Sequence, residues 1–220
     1  MKTYNYKISQ ATTVIFFPSQ RIKTKKHILK ILLETVRVML VENSDENLKE
    51  QNSYFKVVID KMSRIFYFSD KKYYSIYFPF TYIIDNGKNV ISFKNQIEIN
   101  SQIISNIIEI LNDTRFESFY SLDFIEPINE LESYYEDKLW FLIRELIMLE
   151  DGYVRFDNDI DNFNKAKQEG KEHTHPENHL DIFYSNGNIF KIGLERIIKT
   201  LEFEDYFNVA TDCKYLKNYR

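Results

Sequence analysis

The stretch "EHTHPENHLDIFYSNGNIFKIGL", Glu172 to Leu194, decides how the C-terminal part of the chain is built. Asn186-Gly187 stands between two runs of strand formers, and Asn and Gly accept the positive φ that a type I′ turn requires. A two-residue loop at that point sets Ser185 opposite Asn188, Phe183 opposite Phe190, Asp181 opposite Ile192 and His179 opposite Leu194. Side chains alternate along a strand. One face is therefore expected to carry His179, Asp181, Phe183, Phe190, Ile192 and Leu194, and the other Leu180, Ile182, Tyr184, Ile189 and Lys191. Both faces are largely apolar, which predicts a hairpin internal to a sheet.

The same stretch holds three of the four histidines of the chain: His173, His175 and His179. A carboxylate such as Asp181 among apolar neighbours is costly unless it is paired or hydrogen-bonded. That places Asp181 and His179 at the open end of the sheet, where the face meets solvent. Upstream, "YVRFD" (Tyr153 to Asp157) reads as a strand with Arg155 and Asp157 on one face. If that strand lies beside the hairpin, Arg155, Asp157, His179 and Asp181 converge, and the loop histidines fold over them. Pro176 stiffens that loop by fixing its own φ and restricting His175.

Those residue types suit two chemistries. His179 with Asp181 or Asp157 forms an oriented general acid/base pair, while Arg155 or Lys191 steadies a phosphate or other anion and His173 and His175 are mobile contributors to substrate binding. Alternatively, His173, His175 and His179 supply imidazoles for a divalent metal (Zn²⁺, Mn²⁺ or Fe²⁺), with Asp181 or Asp157 completing the shell. "DNDID" (Asp157 to Asp161) resembles the opening of a calcium-binding EF-hand loop. The resemblance fails because Asn162 stands where that loop needs Gly and Gln168 where it needs a bidentate Glu. Against both chemistries stands a plain structural His–Asp hydrogen bond closing the sheet end. Cys213 sits in what reads as a tail.

Away from this stretch, residues Thr12 to Phe17 read as a short β-branched and aromatic strand closed by Pro18. Thr24 then caps a helix to about Val41, with Ile28, Leu32, Val36 and Met39 at helical spacing. Its other face carries Lys23, Lys26, Lys30 and Arg37, a row that could contact phosphate backbones and is more often a solvated face. From Tyr54 to Phe93 the runs "RIFYFS", "YYSIYF" and "TYIIDNGKNVISF" predict a β-meander, with a second type I′ turn at Asn86-Gly87. "NSQIISNIIEILND" reads as a helix. Pro127 suits the start of another, running to about Leu149 with Gly152 as its C-terminal cap. Between Asp157 and the hairpin lies a polar loop of about twenty residues, and a last helix is expected from Glu195 to Phe203.

Composition bounds the rest. The 220 residues are 44% hydrophobic and 16% aromatic, which demands a packed core. The formal net charge of −4 argues against whole-molecule attraction to nucleic acid or an acidic membrane. One cysteine makes no internal disulfide, so a reducing compartment is expected. No apolar run reaches the roughly 18 residues of a membrane span, and no P-loop, dinucleotide fingerprint or nucleophile elbow appears. The expectation is a cytoplasmic α+β protein, a mainly antiparallel sheet with packed helices. It reads as one domain over residues 1–220, with a subdivision into 1–126 (helix plus β-meander) and 127–220 (helix plus hairpin sheet) as the alternative.

The last third, through Arg155, Asp157, His175, Pro176 and His179, resembles a pattern in small uncharacterised bacterial proteins. There a helix leads into a strand with an Arg/Asp pair, then an H-P-x-x-H loop and a closing hairpin. Such proteins belong to accessory gene sets, including toxin-antitoxin and phage-defence loci. The resemblance implies a defence- or toxin-like effector, and the residues imply a hydrolase-type site for nucleic acid or nucleotide. The other reading is a non-catalytic interaction or regulatory subunit that binds a protein partner and keeps its histidines for structure.

Overall fold

The computed structural model of the protein describes residues 2–45, 48, 53–117, 123, 125–132, 138–182 and 191–212. The chain is α+β, and every strand pairing among the described residues is antiparallel. It divides into two compact units: one of residues 1–9, 45–77 and 152–220, the other of 10–44 and 78–151.

The first unit is built on a seven-stranded sheet of order β1-β2-β3-β4-β8-β9-β10. Its strands are β1 (Lys2–Lys7), β2 (Tyr54–Ile59), β3 (Arg64–Phe68), β4 (Lys72–Tyr77), β8 (Val154–Asn158), β9 (Asn178–Asp181) and β10 (Lys191–Leu194). One face is apolar and is covered by α7 (Thr200–Asp205). Phe66, Phe68, Phe156 and Leu180 meet Ile198 and Phe203 there, and Phe66 stands edge-on to Phe203 with ring centroids 6.2 Å apart. The rim of this layer is pinned by Lys56 to Glu204, 2.7 Å apart, and by the Arg64 guanidinium over the Phe207 ring. Arg64 also donates to the carbonyl of Gly152, whose φ of +55° leads the chain into β8.

The other face changes character along a single row of cross-strand partners. Tyr6, Phe55, Tyr67 and Tyr74 follow one another from β1 to β4, with Tyr67 and Tyr74 stacked at 4.4 Å. Beyond Tyr74 the row turns ionic: Arg155, Asp181, Lys191. The next row is Lys72, Asp157, His179, Gly193. The sheet thus delivers an aromatic surface that ends in a charged corner.

The second unit holds α1 (Gln10–Phe16), α2 (Lys25–Val41), the small sheet β5 (Phe80–Asp85), β6 (Lys88–Phe93) and β7 (Ile97–Glu98), then α3 (Ser101–Asn112), α4 (Ile125–Glu132) and α5 (Lys138–Met148). Thr24 caps α2 by accepting from the His27 amide, as its sequence predicts. Asn86 and Gly87 carry φ of +48° and +77° at the β5–β6 turn, which is the positive φ a type I′ bend needs. Lys25 ties the start of α2 to Asp151 at 2.7 Å. In the basic row, Lys30 is engaged with Asn112 and Arg37 with Glu34.

Several expectations are corrected. Thr12 to Phe16 lies in the helix α1, not a strand, with Phe17 just past its end: Phe17 donates back to the Thr13 carbonyl at 2.7 Å, and the helix buries Phe16 completely. Burial of that ring outweighs β-branched propensity. The missed strand is β1, where Tyr6 is buried. The helix expected from Pro127 to Leu149 is described as α4 and α5, with Pro127 at the third position of α4 and residues 133–137 outside the described set. The polar loop after Asp157 contains α6 (Ile160–Gln168), capped by Asp159, and a 3₁₀ turn at Glu172–Thr174. The last helix begins at Thr200 instead of Glu195.

The hairpin register is the correction that matters most. Lys191 pairs with Asp181, Ile192 with Leu180, Gly193 with His179 and Leu194 with Asn178. That is one residue away from the register expected, and a one-residue slip moves a whole strand's side chains to the opposite face. Ile192 and Leu194 therefore join Leu180 in the apolar layer, and Lys191 faces the acids. Among the described residues β10 is the last strand in the order, so there the hairpin stands at the end of the sheet instead of inside it. Asn186-Gly187, with the rest of residues 183–190, and Cys213 lie outside the described residues.

Candidate functional site

Three neighbouring strands of one unit place Arg155 and Asp157 (β8), His179 and Asp181 (β9) and Lys191 (β10) on one face. Alternation on β8 and β9 makes the first four coplanar, and the observed register adds Lys191. Asp181 and His179 are fully covered, Arg155 and Asp157 are 7% and 8% exposed, and Lys191 is half-buried. The sequence placed these acids where the sheet meets solvent; the structure places them beneath it, with charge partners.

Those partners are close. Arg155 Nη2 lies 2.6 Å from Asp157 Oδ2 and 2.5 Å from Asp181 Oδ2, so one nitrogen bridges both carboxylates. Lys191 Nζ approaches Asp181 Oδ1 at 3.3 Å. Two cations balance two carboxylates, the condition under which buried charges are tolerated. Burial works against the charge on Arg155, yet Tyr153, Asp157 and Asp181 outweigh it and hold its pKa above the ordinary value. Burial, with Asp157 and Asp181 nearby, pushes the Tyr153 hydroxyl up to about 12. Arg155 Nε is buried and bonds no atom among the described residues.

The imidazole is fixed from behind. His179 Nδ1 donates to the Pro176 carbonyl at 2.8 Å, which leaves Nε2 as the acceptor. Lys191 Nζ donates to that Nε2 at 2.6 Å, and Asp157 Oδ2 is 3.7 Å from it. Burial first, then the Lys191 charge, lowers the His179 pKa below its ordinary 6.5, against the pull of Asp157 and Asp181. The ring is neutral, with its lone pair aimed into the charged corner. Gly193 makes room for Pro176: a Cβ there would meet Pro176 Cγ at 3.0 Å and Cβ at 3.2 Å, so any larger residue would push the proline ring back by a few tenths of an ångström.

The other histidines divide. His175 does fold over the site: its ring stands edge-on to that of His179 at 5.1 Å, and its Nε2 lies 3.0 Å from Asp159 Oδ2. His173 is exposed in the 3₁₀ turn. Among the described residues one set has ligand atoms close enough to share a metal ion, and it is Asp157, His179 and Asp181, all within 4.8 Å of one another. The three-imidazole set drawn from the sequence is not gathered; His179 is the member common to both.

Sequence reasoning missed Lys72, the cross-strand partner of Asp157, because nothing local announces that β4 lies beside β8. It also missed the Pro176 carbonyl, Gly193 and Tyr153. The glycine was the available signal: a lone Gly inside a strand marks a close backbone approach.

Compared with protein-family models, with characterised proteins and with solved structures, the chain matches none of them. No helix among the described residues is long and apolar enough to cross a membrane. What defines the protein is an α+β fold carrying a buried Arg–Asp–His–Asp–Lys cluster, and what that cluster does follows from its chemistry.

Proposed function

We propose that the charged corner of the seven-stranded sheet is a site for a phosphate-containing ligand, nucleotide or nucleic acid, on which the protein acts as a defence- or toxin-like effector. The observation that carries this reading is the unprotonated Nε2 of His179 held between an acid and a lysine, with an Arg155 Nε that has no hydrogen-bond partner among the described residues. A phosphoryl oxygen needs cationic donors, and a water or hydroxyl attacking phosphorus needs a base. Lys191 and Arg155 supply the first and His179 the second. Lys72 is the cross-strand partner of Asp157 on the same face. Ligand access runs past Lys191 and Asp157, whose side chains are 16% and 12% exposed.

Complete burial of His179 and Asp181 favours a second reading, in which the cluster is a structural ion-pair network and the chain a protein-binding subunit. Binding of a short single-stranded oligonucleotide and of pyrophosphate, followed by fluorescence anisotropy and calorimetry, separates the two. On the first reading the oligonucleotide binds, and Lys191→Gln weakens it while lowering the slope of log affinity against log salt by roughly 0.7. Absence of binding by either probe at low salt would leave the second reading.

A further inference from the structure

We infer that Asp157, His179 and Asp181 form a site for a divalent cation, and that the Lys191 ammonium is its built-in substitute in the metal-free chain. The inference rests on the phosphate reading only for what the ion would do; binding of the ion stands on the three ligands themselves.

The geometry supports it in four ways. Ligand atoms around an ion bonded at about 2.1 Å stand about 3.0 to 4.2 Å apart, and His179 Nε2 to Asp157 Oδ2 is 3.7 Å. All three ligand atoms lie within 4.8 Å of one another, so the set needs at most about half an ångström of closing to meet one ion. The tautomer is the one a metal requires: Nδ1–H bonds a backbone carbonyl, the usual orienting contact behind a ligating imidazole, and Nε2 is left for the ion. Finally, a cation already sits at two of the three ligands: Lys191 Nζ lies 2.6 Å from His179 Nε2 and 3.3 Å from Asp181 Oδ1.

Electrostatics sets the exchange. With Lys191 in place, Asp157 and Asp181 meet Arg155 and Lys191, and these four groups sum to zero. A divalent ion cannot join without raising the charge by two, so Lys191 must turn out towards solvent, which its partial exposure on an end strand permits. Ion, Arg155 and two carboxylates then sum to one net positive charge, with Lys191 released at the rim. That state suits a phosphate better than the neutral one. One imidazole and two carboxylates leave coordination positions open, as in catalytic metal centres, and the mixed nitrogen and oxygen donors suit Mn²⁺, Fe²⁺ or Zn²⁺.

The test is titration of chelator-treated full-length protein with Mn²⁺, read by loss of the free-ion electron paramagnetic resonance signal. Electron spin-echo modulation of the bound ion then reports its ligands. The expected result is one Mn²⁺ per chain, displaced by Zn²⁺ and coupled to one imidazole nitrogen, with affinity raised at least tenfold in Lys191→Met. Asp157→Asn and Asp181→Asn should each lose the bound ion; since either could disturb folding, the imidazole coupling in the unaltered chain is the independent readout. The inference is overturned if neither the unaltered protein nor a folded Lys191→Met binds Mn²⁺, or if the bound ion shows no imidazole coupling. Oligonucleotide binding that persists in chelator while Mn²⁺ fails to bind would sink this inference and spare the phosphate reading. Mn²⁺ bound through His179 with no phosphate probe retained would do the reverse.

Discussion

Arg155→Ala is expected to lower the free energy of unfolding by about 3–5 kcal/mol, because it strips a buried pair of carboxylates of the nitrogen that bridges them. Arg155 Nη2 sits within 2.6 Å of both Asp157 and Asp181, and its side chain is 9% exposed, so solvent screens little of the interaction. Asp181 would be left with Lys191 at 3.3 Å, and Asp157 would lose its nearest cation. At roughly 2–4 °C per kcal/mol for a chain of this size, melting should fall by roughly 6–20 °C. The second variant in the argument is Asp181→Asn. If the loss is electrostatic, adding it to Arg155→Ala should recover part of the stability, since it removes one of the stranded charges. A double variant that is additively worse would mean that packing, not charge, holds the corner together. Chemical denaturation of all four proteins completes the cycle.

Phe66→Ala should cost a comparable amount, about 3–5 kcal/mol, for an unrelated reason. Phe66 is fully buried on the opposite face of the sheet, with ring centroids 6.3 Å from Phe68, 6.2 Å from Phe203 and 5.7 Å from Phe207. Its removal leaves a cavity between β3 and α7 that neighbouring rings refill only in part. No second charge substitution should rescue it, and the His179 imidazole should keep its tautomer, because the apolar layer and the charged corner lie on different faces. A loss below about 1 kcal/mol would mean that α7 does not seal this face as described.

How much of this could be read from the sequence depends on how local each determinant is. Period-two alternation is local, so "YVRFD" and "HLD" correctly set Arg155 with Asp157 and His179 with Asp181 on single faces. Lys191 was assigned to the wrong face because a strand's partner register depends on the turn, and Asn-Gly alone does not fix the length of the loop around it. The energetics that choose the observed register are visible only with the partners in view. It sets a cation beside Asp181, and it sends Ile192 and Leu194 to Leu180 and Phe156. The expected register would have placed Ile192 beside the carboxylate and Lys191 in the apolar layer. α6 left no apolar signature because it buries none of its residues; its order comes from the Asp159 cap and from Lys165 and Lys167 near its C-terminal end. The pairing of β4 with β8 joins residues on either side of the 78–151 segment of the other unit, and no local pattern encodes it.

The account depends most on His179 being presented as a neutral ring whose Nε2 lone pair faces Lys191 and Asp157. Nitrogen-15 nuclear magnetic resonance of the imidazole in metal-free protein measures this directly. The predicted spectrum at neutral pH has a protonated Nδ1 and an unprotonated Nε2, shifted again when Lys191 is replaced by Met, with protonation setting in only below the ordinary value of 6.5. An Nε2-protonated ring, or one that takes up its second proton above 6.5, would contradict the geometry on which both the phosphate site and the cation site are built.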